Sequence, residues 1–359
     1  MHITFDYRIA SSRVGKRAQL HCDLIELLRA VDKADSLAAA ADALGVSYRH
    51  LWGQLRHWEE TLGIALTERT RGSHTRLSEA GLRLLRSEKA VLARNAALLE
   101  KLANDLEQTY ADVMYPDAHE LRVTGCPDRS LLRFKNLAAP AGVRLLIDFN
   151  SSAKGLEDLA AGRTDIAGFN APSDTRKGDL AAKVFAPLID PEKTVIIKYA
   201  SRSQGMAVAP GNPLELHSIS DVASTRARYV NRAEGTGTRV LLDALLVRED
   251  IAPELIVGYD NIASGHQAVA QSIFEGKADA GLCIRTSADD WGLDFVPLMT
   301  ETYFLAVRRE DFDKPEMQTL LSILRTSEWR EQCSQFAGYM GRDSGTVLEG
   351  DRALRWLAR

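Results

Sequence analysis

The sequence predicts a multidomain chain: an all-α N-terminal part that adds a two-stranded β-wing and a long helix, then an α/β part built of two lobes. Three observations predict it. Apolar residues recur at helical spacing up to about residue 110. A seam of alternating three- and four-residue steps runs through Leu82, Leu85, Lys89, Leu92, Ala96, Leu99, Ala103 and Leu106. After the linker YADVMYPDAHE (110–120), short apolar runs alternate with helical patterns, as in a sheet covered by helices.

Leu20, Leu24, Leu27, Leu28 and Val31 form one stripe, the first helix. Asp35 and Ser36 can cap SLAAAADALG, a short helix that ends at Gly45. Ser47 caps YRHLWGQLRHWEETLG, whose Leu51, Trp52, Leu55, Trp58 and Leu62 are expected to face inward. Small side chains at Ala39, Ala40 and Ala41 let these two helices approach closely. IALTERTRGSHTRLS reads as two short strands about a Gly72-Ser73 tip. A helix from Ser78 to about Gln108 follows, and its length calls for a partner, which predicts pairing between subunits. Strands are expected at 121–125, 143–149, 164–169, 194–200, 227–231, 278–284 and 302–307, with helices such as AKGLEDLAAG and HQAVAQSIFEG between them.

Composition narrows the class. Hydrophobic residues make up 45% and charged residues 26% of the 359, which suits a folded soluble chain and excludes a disordered one. No apolar run reaches the roughly 18–20 residues that span a bilayer, and the first residues lack a signal-peptide core, so a cytoplasmic location is expected. Cys22, Cys126, Cys283 and Cys333 lie far apart, which argues against a disulfide framework or a zinc site. Residues 1–110 hold 16 Lys and Arg against 14 Asp and Glu, a local +2 within an overall −4. That balance only weakly favours nucleic acid, because a charged face matters more than a sum.

The face is the stronger signal. Ser47, Tyr48, Arg49, Gln54, Arg56 and His57 start or leave the apolar stripe of the second helix, and Arg69, Arg71, His74 and Arg76 lie on the wing. Arg and Gln can read base edges in a major groove, while wing arginines suit phosphates or a minor groove. In the α/β part, GTGTR (235–239) turns into a helix, where backbone N–H groups and the helix dipole favour an anion. It is neither GxGxxG nor GxxxxGK[ST], so a dinucleotide or nucleoside triphosphate is poorly supported.

The stretch DSLAAAADALGVSYRHLWGQLRHWEETLGIALTERTRGSHTRLSEAGLRLL resembles the winged helix–turn–helix of LysR-type regulators, in particular the branch shared with molybdate-responsive, ModE-like regulators. RSQGMAVAPGNPL, NRAEGTGTRVLLDALL, IVGYDNIASGHQAVAQSIFEGKADAGLCI and LDFVPLMTETYFLAV resemble a periplasmic-binding-protein-like domain. The resemblance implies residues 1–77 as a DNA-binding domain, 78–118 as a linker and dimerisation helix with its hinge, and 119–359 as a two-lobed ligand sensor. It implies an inverted-repeat DNA operator, a homodimer with a tetramer left open, and no resident cofactor, metal or catalysis.

The ligand would lie between the lobes, met by helix starts and the loops after strands. The candidates are Cys126, Ser151 and Ser152 from the first lobe, Thr236, Gly237, Thr238 and Arg239 from the second, and Arg202 near the crossover, with His266 opening another helix. Bland alternatives stay open: Ser151 and Ser152 as N-caps, Arg239 facing solvent, His266 bonded to a local carbonyl, Cys126 as packing. The first expectation for the effector is a molybdate- or tungstate-like oxyanion. The alternatives are a molybdenum cofactor or a small carboxylate such as formate and, in another class, an enzyme on the same fold.

Overall fold

A computed structural model describes residues 24–69 and 75–348. The chain forms two compact units that divide between Ala96 and Ala97, inside one helix. In the first unit α1 (Leu24–Lys33), α2 (Leu37–Ala43) and α3 (Tyr48–Leu62) precede β1 (Thr67–Arg69), β2 (Thr75–Leu77) and the start of α4 (Glu79–Met114). Leu20, Cys22 and the wing tip, with Arg71 and His74, lie outside the described residues.

The expected caps form. Ser36 Oγ accepts from Ala39 N at 3.1 Å, and Ser47 Oγ accepts from His50 N at 3.2 Å. Gly63 closes α3 at φ 69°, a left-handed conformation that glycine adopts without strain. Leu27, Leu28, Ala40, Ala41, Leu51, Leu55, Trp58, Leu66 and Leu77 make the core. Trp52 corrects the expectation: it is 42% exposed, because it sits one residue past Leu51 and turns away from that core.

Helix α4 runs 36 residues, six beyond the expected end. Its predicted seam does not stay on one side. Leu82 and Leu85 pack against the core of the first unit, and Ala103 is buried in the second. On the part of α4 in the second unit, Leu98, Leu102, Leu106, Tyr110, Val113 and Met114 are exposed.

The second unit holds β3 (His119–Gly125), α5 (Arg129–Ala138), β4 (Val143–Phe149), α6 (Ser152–Ala160), β5 (Ile166–Pro172), α7 (Leu180–Phe185), β6 (Thr194–Val208), α8 (Ile219–Thr225), β7 (Tyr229–Arg232), α9 (Gly237–Arg248), β8 (Ile262–Ala263), α10 (His266–Phe274), β9 (Ala280–Ile284), α11 (Arg285–Asp290), β10 (Asp294–Arg308), α12 (Arg309–Phe312), α13 (Pro315–Leu324), α14 (Ser327–Ser334), β11 (Tyr339–Met340) and β12 (Val347–Leu348). The strands hydrogen-bond in the order β4-β3-β5-β10-β6-β9-β7-β8. β3, β4 and β5 are parallel, as are β7, β8 and β9, and the two triplets are joined through the antiparallel pair β6 and β10. Each of those two strands is 15 residues long and serves both lobes.

The first lobe packs Val123, Phe134, Leu145, Tyr199 and Trp329 on one sheet face and Leu156, Phe169, Phe185 and Phe304 on the other. The second lobe packs Met206, Tyr229, Leu242, Leu245 and Leu282. Val240 of α9 reaches into a core of the first lobe, so the lobes touch there. The end of α4 is tied to the first lobe: buried Lys135 donates to Asn104 Oδ1 at 2.7 Å and lies 3.6 Å from Glu107.

Seven of the strands lie where short apolar runs predicted them, but the sequence showed only half of β6 and half of β10. The missing halves, 201–208 and 294–301, include Arg202, Gln204 and Glu301, polar residues that the structure buries.

Candidate functional site

The cleft is built where parallel strands end and helices begin. In the first lobe the loop after β3 carries Cys126 and Asp128. Asp128 caps α5 with one oxygen, which accepts from Ser130 N at 2.8 Å and Ser130 Oγ at 2.6 Å. Its other oxygen accepts from Arg202 Nη1 at 2.7 Å and from the Tyr339 hydroxyl at 3.0 Å. Arg202 Nε also donates to Glu301. Burial pulls the Arg202 pKa down, but Glu301, Tyr339 and Asp128 outweigh it and hold the guanidinium charged, well above its usual range. Arg202 was expected to meet the ligand. Its charge is instead met by two carboxylates, and it locks the first lobe onto the crossover strands.

Ser151 and Ser152 divide their roles. Ser151 caps α6 by accepting from Lys154 N at 3.2 Å. Ser152 is fully buried, with its Oγ 3.1 Å from Cys126 Sγ and accepting from Asn170 N at 3.4 Å.

In the second lobe the GTGTR turn opens α9. Thr236 Oγ caps it, accepting from Arg239 N at 3.3 Å and donating to Ala233 O at 2.8 Å. A Cβ at Gly237 would stand 3.6 Å from Asn170 Cβ, so the two lobes meet here with little room between them. Thr238 is buried and accepts from Gln204 Nε2 at 2.9 Å. Arg239 corrects the expectation. Its Nε pairs with Asp243 at 3.1 Å and its guanidinium lies 4.0 Å from the centre of the Tyr259 ring, so it is spent inside the second lobe.

The cleft contains groups that sequence reasoning passed over. Arg232, at the end of β7, has a buried Nε without a partner, and no carboxylate pairs with it among the described residues. Burial lowers its pKa, and nearby Arg202 adds to this against the opposing effect of Cys126. His266 starts α10 with its Nδ1 buried and unpartnered. Burial, then Arg232 and Arg202, press its pKa well below 6.5, so the imidazole is neutral at pH 7.

Asn170 Oδ1, Gln204 Oε1 and the Tyr303 hydroxyl are also buried without partners. Gly125 leaves space for that hydroxyl, which a Cβ there would approach to 2.6 Å. A free cation, a neutral imidazole and two helix starts favour a small anion here. Among the described residues no group of His, Cys, Asp and Glu could hold a metal ion.

The second candidate surface is α3 with the wing. Tyr48, Arg49, His50, Trp52 and Arg56 are exposed, and the Arg56 guanidinium lies 5.0 Å from the Trp52 ring centre. Gln54 is half-buried with Oε1 unpartnered. Glu59 fixes the wing to this helix: its Oε1 accepts from Leu66 N at 2.8 Å and from Thr67 N at 3.1 Å. Arg76 is exposed on β2, opposite Glu68, and Arg69 faces Thr75 in the same register. Ser47 is exposed, but its hydroxyl is engaged as a cap. No helix among the described residues is long and apolar enough to cross a membrane.

Comparison with known proteins supports both parts. Residues 135–325 match the PBP superfamily domain, and residues 22–82 match the bacterial regulatory helix-turn-helix protein, lysR family. The uncharacterized protein YvgK of Bacillus subtilis is 28% identical over 200 residues, which make up 56% of this chain and 64% of YvgK. The chain thus spans less than two thirds of that relative. An uncharacterized protein in a ferredoxin 2Fe-2S gene 5′ region of Clostridium pasteurianum is 29% identical over 114 residues, 30% of this chain and 97% of that protein. Among solved structures, a hydrogen-peroxide-bound OxyR mutant of Corynebacterium glutamicum is 16% identical with a TM-score of 0.44, over 87% of this chain and 94% of that one.

Proposed function

Since the chain belongs to the PBP superfamily and joins to that domain a helix-turn-helix of the lysR family, we propose that it is a one-component transcription regulator whose DNA binding answers to a small anion held between the lobes. One observation supports the anionic effector above the others. Arg232 is a cation without a carboxylate partner among the described residues, beside a neutral His266 and the start of α10. A half-buried charge left unpaired is costly, and an anion would relieve it.

The DNA-reading half rests on the exposed polar face of α3 and on Arg76 of the wing. Here Tyr48, Arg49, Gln54 and Arg56 would contact the major groove and the wing the adjoining phosphates. The exposed Leu98, Leu102, Leu106, Tyr110 and Val113 of α4 support a homodimer, and two heads would then read an inverted repeat. Closure of the lobes on the anion would shift the balance between two arrangements of that dimer.

The test has two parts. Selection from random duplexes followed by fluorescence anisotropy should return an inverted repeat bound at least a thousandfold more tightly than unrelated DNA. Equal affinity for all duplexes would remove the regulator reading. Thermal unfolding against molybdate, tungstate, sulfate, phosphate, formate and a molybdopterin extract reads the effector. A ligand at a hundred times its dissociation constant stabilises by about 2.7 kcal/mol. A shift with molybdate and tungstate but not sulfate would favour a metal-oxyanion sensor, and a shift with formate or the pterin alone a metabolite or cofactor sensor.

A further inference from the structure

Beyond its cation, the cleft presents acceptors, and a bare anion leaves these unmet. Asn170 is 3% exposed, close to the end of β5, and its side chain forms no hydrogen bond among the described residues. Gln204 is fully buried on the crossover strand β6. Its amide nitrogen is used by Thr238 Oγ1, which leaves Oε1 buried and unpartnered. The two side chains meet consecutive residues of the first turn of α9, Asn170 at Gly237 and Gln204 at Thr238.

A buried carbonyl oxygen without a donor costs about 1–3 kcal/mol, and native proteins keep few of them. Reversing the Asn170 amide changes which end faces the cleft but still leaves a carbonyl in need of a donor. Arg232 and the helix starts supply donors, which suit the charged oxygens of an anion. Among the described residues neither carbonyl oxygen has a protein donor within hydrogen-bonding distance. Molybdate, tungstate, sulfate, formate and acetate are acceptors only at neutral pH, so they would fill one half of the cleft and frustrate the other.

We propose that the effector is a small anion that also donates a hydrogen bond, a hydroxy acid or a protonated phosphate, with Asn170 and Gln204 reading the donor while Arg232 holds the charge. This rests on the interlobe cleft being the effector site.

The experiment compares matched pairs on the full-length protein at pH 7, by calorimetric titration and thermal unfolding: glycolate against acetate, and inorganic phosphate against sulfate, with molybdate alongside. The donor-bearing member of at least one pair should bind about five- to a hundredfold more tightly. A glycolate preference assigns a hydroxy acid, and a phosphate preference a protonated phosphate. Asn170→Leu and Gln204→Met should each shrink that preference to about twofold while leaving the weaker member of the pair nearly unchanged. If Asn170→Leu does not fold, Asn170→Ser, which keeps an accepting hydroxyl, should retain part of the preference and Gln204→Met should still lose it.

Arg232→Gln should weaken every anion, the donor-free ones included. Equal affinities within both pairs, or tightest binding of molybdate, would overturn the donor proposal and leave the anion site standing. Anion binding indifferent to Arg232→Gln, or no binding by any of the five anions, would overturn the cleft reading and the proposal with it.

Discussion

Arg202 and Arg232 show how two arginines in one cleft take opposite parts. Arg202 is matched by Asp128 and Glu301, so removing one member leaves buried charge uncompensated. Asp128→Ala is expected to destabilise the α/β body by about 3–5 kcal/mol in urea unfolding, more than loss of an ordinary cap. His266 gives a pH signature. Its folded pKa is depressed, so the unfolded chain gains a proton as pH falls through 6.5 while the folded cleft resists one. Stability from this residue is therefore complete above pH 6.5 and declines below it, towards the lower folded pKa. His266→Gln should flatten the stability curve between pH 7 and pH 5, measured by denaturant midpoints at fixed ionic strength. At this scale the sequence was only partly legible. The anion-favouring GTGTR turn could be read, but the arginine within it was a misleading choice. Arg239 turns to Asp243 and to Tyr259; the first is an i,i+4 helical pair that the sequence could have shown, while Tyr259, 20 residues on, is brought to it only by the fold. Asn170 and Gln204 gave no signal, because an unpartnered amide is a property of the folded surroundings alone.

Elements were legible wherever one face is apolar. Helices α2 and α3 and their caps follow from Ser36, Ser47 and a three-to-four-residue stripe, and β4 coincides with its apolar run. The crossover halves of β6 and β10 escaped because Arg202, Gln204 and Glu301 are buried there, and these polar residues break the apolar run that marks a buried strand. Two predictions belong here. On α3, Arg49→Ala and Arg56→Ala should each weaken selected DNA by about 1–3 kcal/mol and relax base preference. Arg76→Ala on the wing should instead lower affinity for all duplexes and reduce the salt slope by about one, both read by anisotropy in a salt series. On α4, Leu102→Glu with Leu106→Glu should convert a dimer to monomers in sedimentation. An unchanged sedimentation coefficient would remove this helix from the interface.

Over the whole molecule, the apolar cores differ in how much chain each one needs. The core of α1 to α3 is drawn from residues 24–85. That of the second lobe is drawn from 206–299, an almost unbroken stretch. The first lobe is different: its core gathers residues from Leu121 to Val347, because β6, β10 and the helices after them return to it. Since β6 and β10 belong to both lobes, the α/β body should unfold in one transition. Hydrogen exchange at Val195 and at Val208, at the two ends of β6, should report the same opening energy.

Synthesis from the ribosome turns this arrangement into a schedule. Domains fold as they emerge, and long-range strand pairing must wait for its partners. The helix–turn–helix can mature first, the second lobe next, and the first lobe only when the chain is nearly finished. A product cut short before residue 294 would lack β10, the strand that joins the two lobes, yet would keep the surface proposed to hold DNA and the helix proposed to pair. Under the proposed function such a fragment would occupy operators while deaf to the effector, so termination before residue 294, which removes at least the last 66 residues, would yield a competitor of the intact regulator rather than a mere loss of it.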